Sequence, residues 1–222
     1  FFHALFPIGT DRYPGTYMLP FVKISIGGGP TYILGQVEFR VVEGEISVNG
    51  RNFNTESVWT PIFSPRSNAL LALESTTSSI VELRPLDNGL LGIQNCQTGF
   101  ANLFSPESDI VDHFDQVVPG CFVLKGIEST IPLMRIGEEW KSMIFDLKGS
   151  SRPPVVFVCG HRKVGKSSFS RFLLNGLLND YPEVDLVDLD LGQTEFTTAG
   201  FVARKRFTSK GKRFQSDNIL IY

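Results

Sequence analysis

At 222 residues the chain has room for one large domain or two modest ones, and its 42% hydrophobic and 20% charged residues can build a core. The formal net charge of -2 excludes a globally basic nucleic-acid binder and leaves that work to local patches. Cys96, Cys121 and Cys159 are odd in number and match no zinc or CxxC spacing, so they read as free thiols in a reducing compartment rather than a disulfide framework. No apolar run approaches the roughly 18 residues of a membrane span, and no signal-peptide pattern opens the chain, which starts on Phe1 rather than Met. We therefore expect a portion of a longer protein.

In the first 130 or so residues, glycines and prolines punctuate short apolar runs. Residues 36–41 alternate polar and apolar, the period of a half-buried strand. Glu43-Gly44 breaks that run, and Asn49-Gly50 after a second short run predicts a tight hairpin, because both residues tolerate positive φ. Further strands are predicted at 21–26, 58–61, 69–74, 80–83 and 121–124, while 105–116 reads as a short helix or a loop. Such spacing, with turn residues between strands, predicts an all-β sandwich or barrel.

After Ile131-Pro132-Leu133 the pattern changes. Trp140, Met143, Ile144 and Leu147 form one stripe of an amphipathic helix starting near Gly137, with Glu138 and Glu139 suited to its positive end. A breaker cluster at 149–154 closes it. Residues 155–159 are unbroken apolar, the expectation for a parallel strand buried on both faces. Residues 168–178 then read as a helix buried through Phe169, Phe172, Leu173 and Leu177. A second strand over 184–190 ends in acids, which makes a βαβ unit with a right-handed crossover. Residues 196–202 are candidates for further structure, and 218–222 for a last strand.

Between the apolar run and the second helix stands Gly160-His161-Arg162-Lys163-Val164-Gly165-Lys166-Ser167-Ser168, the pattern GxxxxGKS. Its strand-then-helix context turns the motif into a phosphate-binding expectation. The glycines let backbone N–H groups turn inward around an anion, and the helix adds its N-terminal partial charge. Lys166 would reach the β- and γ-phosphates of ATP and Ser167 would hold Mg²⁺. Asp188 and Asp190 stand two apart, hence on one side of a strand, at the crevice where ligands bind. One acid would serve Mg²⁺, the other would accept the proton of an acceptor alcohol. Gln193 would position the nucleophile or the metal's water shell, and Asp185 points the other way. His161 and Lys163 either touch phosphate or face solvent, while His3 and His113 have no partner motif. Arg204, Lys205, Arg206, Lys210, Lys212 and Arg213 put six cations in ten residues: a nucleic-acid track, a nuclear import signal or a solvated tail.

At 160–169 together with Asp188-Leu-Asp190-Leu-Gly192-Gln193-Thr-Glu-Phe-Thr197 the chain resembles the polynucleotide 5'-hydroxyl kinases, which include the RNA kinases of tRNA splicing and pre-rRNA processing. The Asp-x-Asp-x-x-Gln form sets that family apart from most P-loop proteins, and the wording is most like the nucleolar pre-rRNA branch. The likeness is specific over about 155–200 and architectural over 1–150. It implies transfer of the ATP γ-phosphate to a 5'-hydroxyl end of RNA, with Lys166 on phosphate and Ser167 on Mg²⁺. Asp190 is then the favoured base, supported by Asp188 and Gln193. It further implies a nuclear, nucleolar setting and a partner endonuclease in spacer removal. Family members continue with more strands, an arginine-bearing lid and a C-terminal domain, and the residues after Gly200 show no likeness to them.

The expected architecture is α+β: an N-terminal β domain over 1–134, then a linker helix and partial P-loop α/β domain with a parallel sheet over 135–222. The rival functions are a P-loop ATPase or GTPase switch with water as acceptor, and a truncated non-catalytic scaffold that binds nucleotide or a partner.

Overall fold

The computed structural model describes residues 21–90, 92, 98–127, 130–148 and 152–209. Cys96, His3, Lys210, Lys212, Arg213 and the strand expected at 218–222 lie outside them. The chain divides into two compact units, one built from residues up to Arg135, the other from Asn49–Arg51 and the residues from Ile136 on.

The first unit is organised by one long strand. Its described strands are β1 (Val22–Ile26), β2 (Thr31–Glu43), β3 (Ile46–Val48), β4 (Arg51–Phe53), β5 (Thr60–Ser64), β6 (Leu71–Glu74), β7 (Ser79–Pro85), β8 (Phe114–Val118) and β9 (Cys121–Leu124). They form one sheet in which β2 pairs antiparallel with β5, β6, β7 and β9. Its first residues bond β6 and β9, and from Gly35 on it bonds β5 and then β7. The exchange of partners falls at Gly35, whose φ of +116° and missing Cβ let it approach Gly120, with Gln36 N–H donating to Gly120 O at 2.8 Å. A strand covered on both faces loses the polar alternation of a one-sided sheet, and residues 32–37 of β2 are all buried.

The sequence placed β1, β3, β7 and β9 well, and the Asn49-Gly50 turn has positive φ at both residues, 46° and 85°, as a two-residue hairpin of primed type requires. Residues 105–116 resolve into a short 3-10 turn at Val111–His113 followed by the start of β8. Val58 is exposed and the strand expected there begins at Thr60.

In the second unit, α1 (Glu138–Lys148) packs on α2 (Lys166–Leu177). Ile144, Phe172, Leu173 and Leu177 are the buried centre, with Trp140, Leu147, Phe169 and Val184 against them. The Trp140 ring meets Phe169 and Phe172 at centroid distances of 5.1 and 5.6 Å. Met143, expected on this stripe, is exposed. The line in contact runs through 140, 144 and 147, and 143 falls to its edge at a 3.6-residue period. Asn175 and Asn179 near the end of α2 donate to Asn49 O and Gly50 O at 3.1 and 2.8 Å.

The parallel sheet is the part of the expectation that the structure does not carry. Residues 155–159 run without ladder bonds, and Val155 and Phe157 are 99% and 73% exposed. The ladder of β10 (Glu183–Asp188) is antiparallel, to β11 (Ala203–Thr208), so no βαβ pairing is present among the described residues. Two-sided burial of an apolar strand needs neighbours covering both of its faces, and among the described residues 155–159 have no paired strand. The described part of the basic stretch, Arg204, Lys205 and Arg206, lies in β11, and 196–202 holds no helix or strand.

Candidate nucleotide-binding site

The phosphate loop is built by backbone geometry. Gly160, Lys163 and Gly165 have φ of 154°, 62° and 87°, and Gly165 caps α2 in the left-handed region with no side-chain cap bond. Successive turns of this sort aim N–H groups inward, and the uncapped first turn of α2 offers its own donors to an anion. A Cβ on Gly160 would stand 3.3 Å from Val164 Cγ2, so the tight turn favours glycine for space as well as φ. Lys166 Nζ lies over the loop and donates to His161 O at 2.8 Å.

A cleft of about 530 Å³ opens between this loop and the carboxyl end of β10. That volume suits a nucleotide-sized ligand. Gly160, Lys166, Ser167, Asp188, Asp190 and Gln193 all line it. His161, Arg162, Lys163, Val164, Gly165 and Ser168 do not line it, although the His161 carbonyl accepts from Lys166 Nζ. Ser167 and Ser170 are the serines that line the cleft with the acids.

The two acids reach the cleft differently from the strand expectation. Asp188 ends β10 on the half-buried face shared with Val184 and Leu186. Asp190 lies beyond the strand, in a turn that its own carboxylate organises: Oδ1 accepts the N–H of Gly192 and Gln193 at 3.1 and 3.0 Å. Those bonds, with the positive charge of Lys166 and Arg162, hold its carboxyl below the usual range. Asp188 Oδ1 accepts from Asp190 N–H at 3.0 Å and Oδ2 from Glu195 N–H at 2.5 Å. Asp185, on the opposite face, bonds Arg206 and Arg204 of β11, which push its carboxyl well below the ordinary value. Lys205 lies over the Phe196 and Phe207 rings at 5.5 and 5.3 Å, so the described half of the basic run serves the β10–β11 hairpin.

Ser167, Asp188 and Asp190 offer oxygen donors only, and no group of three or more His, Cys, Asp or Glu forms a metal cage among the described residues. That donor set fits Mg²⁺, which takes one or two carboxylates and completes its octahedron with phosphate oxygens and water. Two residues that sequence reasoning passed over also line the cleft: Arg171 on α2 and Glu195, which form an ion pair. Their signals were present, a cation four residues after Ser167 on the same helix face and an acid two after Gln193.

A left-handed glycine loop, an uncapped helix start, a lysine and serine on it, and acids facing them across a cleft define a P-loop nucleotide-binding protein. Comparison with known proteins narrows that class. The family model described as mRNA cleavage and polyadenylation factor CLP1 P-loop matches residues 160–221. The match continues past Gly200, where the sequence reading found no likeness. Human polynucleotide 5'-hydroxyl-kinase NOL9 is 53% identical over 55 residues, 25% of this chain and 8% of that protein. Polynucleotide 5'-hydroxyl-kinase GRC3 of Gibberella zeae is 27% identical over 204 residues, 81% of this chain and 27% of its own. A chain of the wild-type Clp1p–Pcf11p (454–563) complex superposes with a TM-score of 0.46 at 14% identity, over 83% of this chain and 36% of that one. The chain resembles the polynucleotide 5'-hydroxyl kinases, as its motifs indicated, and the NOL9/GRC3 group fits. It spans less than a third of the length of these two relatives.

Proposed function

We propose that this chain carries the nucleotide-binding part of an ATP-dependent polynucleotide 5'-hydroxyl kinase, one that phosphorylates the 5'-OH of RNA during rRNA processing. The observation that carries the reading is that Lys166 and Ser167 share one cleft with Asp188, Asp190 and Gln193. A water-using switch protein also places an acid on Mg²⁺ and a glutamine on its attacking water, so it is the second acid that favours a hydroxyl acceptor. On this reading residues 1–134 are a β domain and 135–222 the linker helix with the partial kinase domain.

The inward N–H groups of the loop and the start of α2 bind the polyphosphate, and Lys166 swings from the His161 carbonyl to the β- and γ-phosphates. Ser167, with Asp188 or Asp190, would hold Mg²⁺, which when bound neutralises charge building on the phosphate oxygens. Asp190 is the favoured acceptor for the proton of the RNA hydroxyl. Its depressed proton affinity makes it a weak base. The transition state of phosphoryl transfer is loose, so orienting the hydroxyl by a hydrogen bond matters more than early deprotonation. Gln193 would orient the same hydroxyl or the metal's waters. Charge on the migrating group needs further cationic donors than the loop supplies. By the resemblance, the setting is the nucleus and nucleolus, with an endonuclease as processing partner.

The test is transfer of labelled γ-phosphate from ATP to a 5'-hydroxyl oligoribonucleotide by the full-length protein. Lys166→Ala is expected to lower kcat by about 10³-fold, the scale of losing one positioned charge at a transferring phosphoryl group. Unchanged transfer in that variant sinks the mechanism. ATP turnover indifferent to 5'-hydroxyl RNA would assign water as the acceptor, and nucleotide binding without turnover would assign a scaffold.

A further inference from the structure

The Arg171–Glu195 ion pair is more than the phosphate loop requires. Arg171 lies four residues beyond Ser167 on α2, and its Nε and Nη2 donate to Oε1 and Oε2 of Glu195 at 2.7 and 3.0 Å. Two parallel bonds of this kind fix direction as well as distance. The side chains are only 20% and 18% exposed, so solvent screens the pair less than a surface one.

From Glu195 the bonding runs into the acids. Glu195 N–H donates to Asp188 Oδ2 at 2.5 Å, Asp190 N–H donates to Asp188 Oδ1 at 3.0 Å, and the Asp190 carboxylate collects Gly192 and Gln193. The loop that carries them, residues 189–202, has no helix or strand of its own. It is closed by Gly200 N–H donating to Leu191 O at 2.8 Å, and Phe196 rests against Phe207 at 6.0 Å. Neither contact reaches α2. Among the described hydrogen bonds, the Arg171–Glu195 pair joins the helix that starts at the phosphate loop to the acid-bearing loop.

We propose that the Arg171–Glu195 pair is a positioning device that clamps this loop to α2 and so sets the spacing of Asp188 and Asp190 from Lys166 and Ser167. Its catalytic consequence, though not the clamp itself, rests on the kinase reading. Arg171 acts through Glu195 and is a positioning residue rather than a catalytic one. A misplacement of about 1 Å at such a site lowers turnover on the order of 10²-fold while leaving nucleotide binding largely intact.

The experiment compares Arg171→Ala, Glu195→Ala and the exchanged pair Arg171→Glu with Glu195→Arg in the full-length protein. Amide hydrogen exchange over 190–195 is expected to quicken about tenfold in each single variant, with α2 unchanged, and to slow again in the exchanged pair. Unaltered exchange over 190–195 overturns the clamp whatever the activity. In phosphate transfer, kcat should fall by about tenfold or more in both single variants while KM for ATP stays within about threefold, and the exchanged pair should recover most of kcat. Loss in Arg171→Ala alone, with Glu195→Ala like the parent, overturns the proposal in favour of direct phosphate contact by Arg171. If a neutral variant does not fold, Arg171→Lys, which keeps charge without the fork, decides: parental exchange and kcat overturn the proposal, intermediate values support it. Absence of transfer by the parent protein, with exchange behaving as expected, overturns the kinase reading and leaves the clamp standing.

Discussion

Asp190 shows how far a single side chain can be tuned without burial. Two main-chain donors and the nearby charges of Lys166 and Arg162 favour its ionised form. A depressed folded value means that the bonds of this carboxylate are fully in place above its ordinary range and are lost only as pH falls through the lowered value. Transfer is therefore expected to show no acid limb from Asp190 at about pH 5 and above, since even an unperturbed aspartate titrates near 4. The check is a pH profile of kcat for the parent and Asp190→Asn: an acid limb near pH 6 that disappears in the variant, by about the same principle, contradicts the assignment. The motif spacing disclosed that Asp188 and Asp190 would act together. It did not disclose that Asp190 leaves the strand, because its conformation follows from bonds to Gly192 and Gln193 that form only once the turn closes. Arg171 and Glu195 each left a local signal, but their pairing stayed hidden for the same reason, being 24 residues apart in sequence and joined only by folding.

At the scale of elements, the long strand β2 depends on a residue with no side chain. A Cβ on Gly35 would lie 2.0 Å from the carbonyl oxygen of Gly120, which is main chain and has no rotamer to move to, and the φ of +116° is adverse for any other residue. Gly35→Ala is expected to destabilise the β unit by about 1–3 kcal/mol at least, the usual cost of forcing a strained backbone position. Urea unfolding checks it: a lower midpoint at unchanged slope bears it out, and an unchanged midpoint refutes the close-approach account. The periodic elements of this unit were readable because alternation and turn residues are local. The first residues of β2 were not, since they pair with β6 and β9, strands far away in sequence. The α1 stripe was readable except at Met143, where the width of the contact, not its period, decides which residues are covered.

For the whole molecule, the exposed apolar side chains carry a consequence. Val155, Phe157, Val187, Leu189, Leu191, Phe201 and Val202 all stand in solvent in the second unit. Apolar exposure on that scale favours association. We expect the 222-residue chain to self-associate at micromolar concentration, and Phe157→Lys with Val187→Lys to shift it towards monomer, as sedimentation would show. A monodisperse monomeric parent would refute this. Read as a string, residues 155–159 look like the buried centre of a parallel sheet, because apolar composition reports what a segment can bury and not whether neighbours cover it. By itself the sequence determined the order of a β unit and a P-loop unit, the phosphate loop and the identity of its facing acids, since each is written in local spacing and backbone chemistry. Only the tertiary structure decided that β10 pairs antiparallel with the basic strand β11, that six of the motif's residues stay out of the cleft, and that an arginine on α2 grips the acid-bearing loop, because these are contacts between segments that no local pattern encodes.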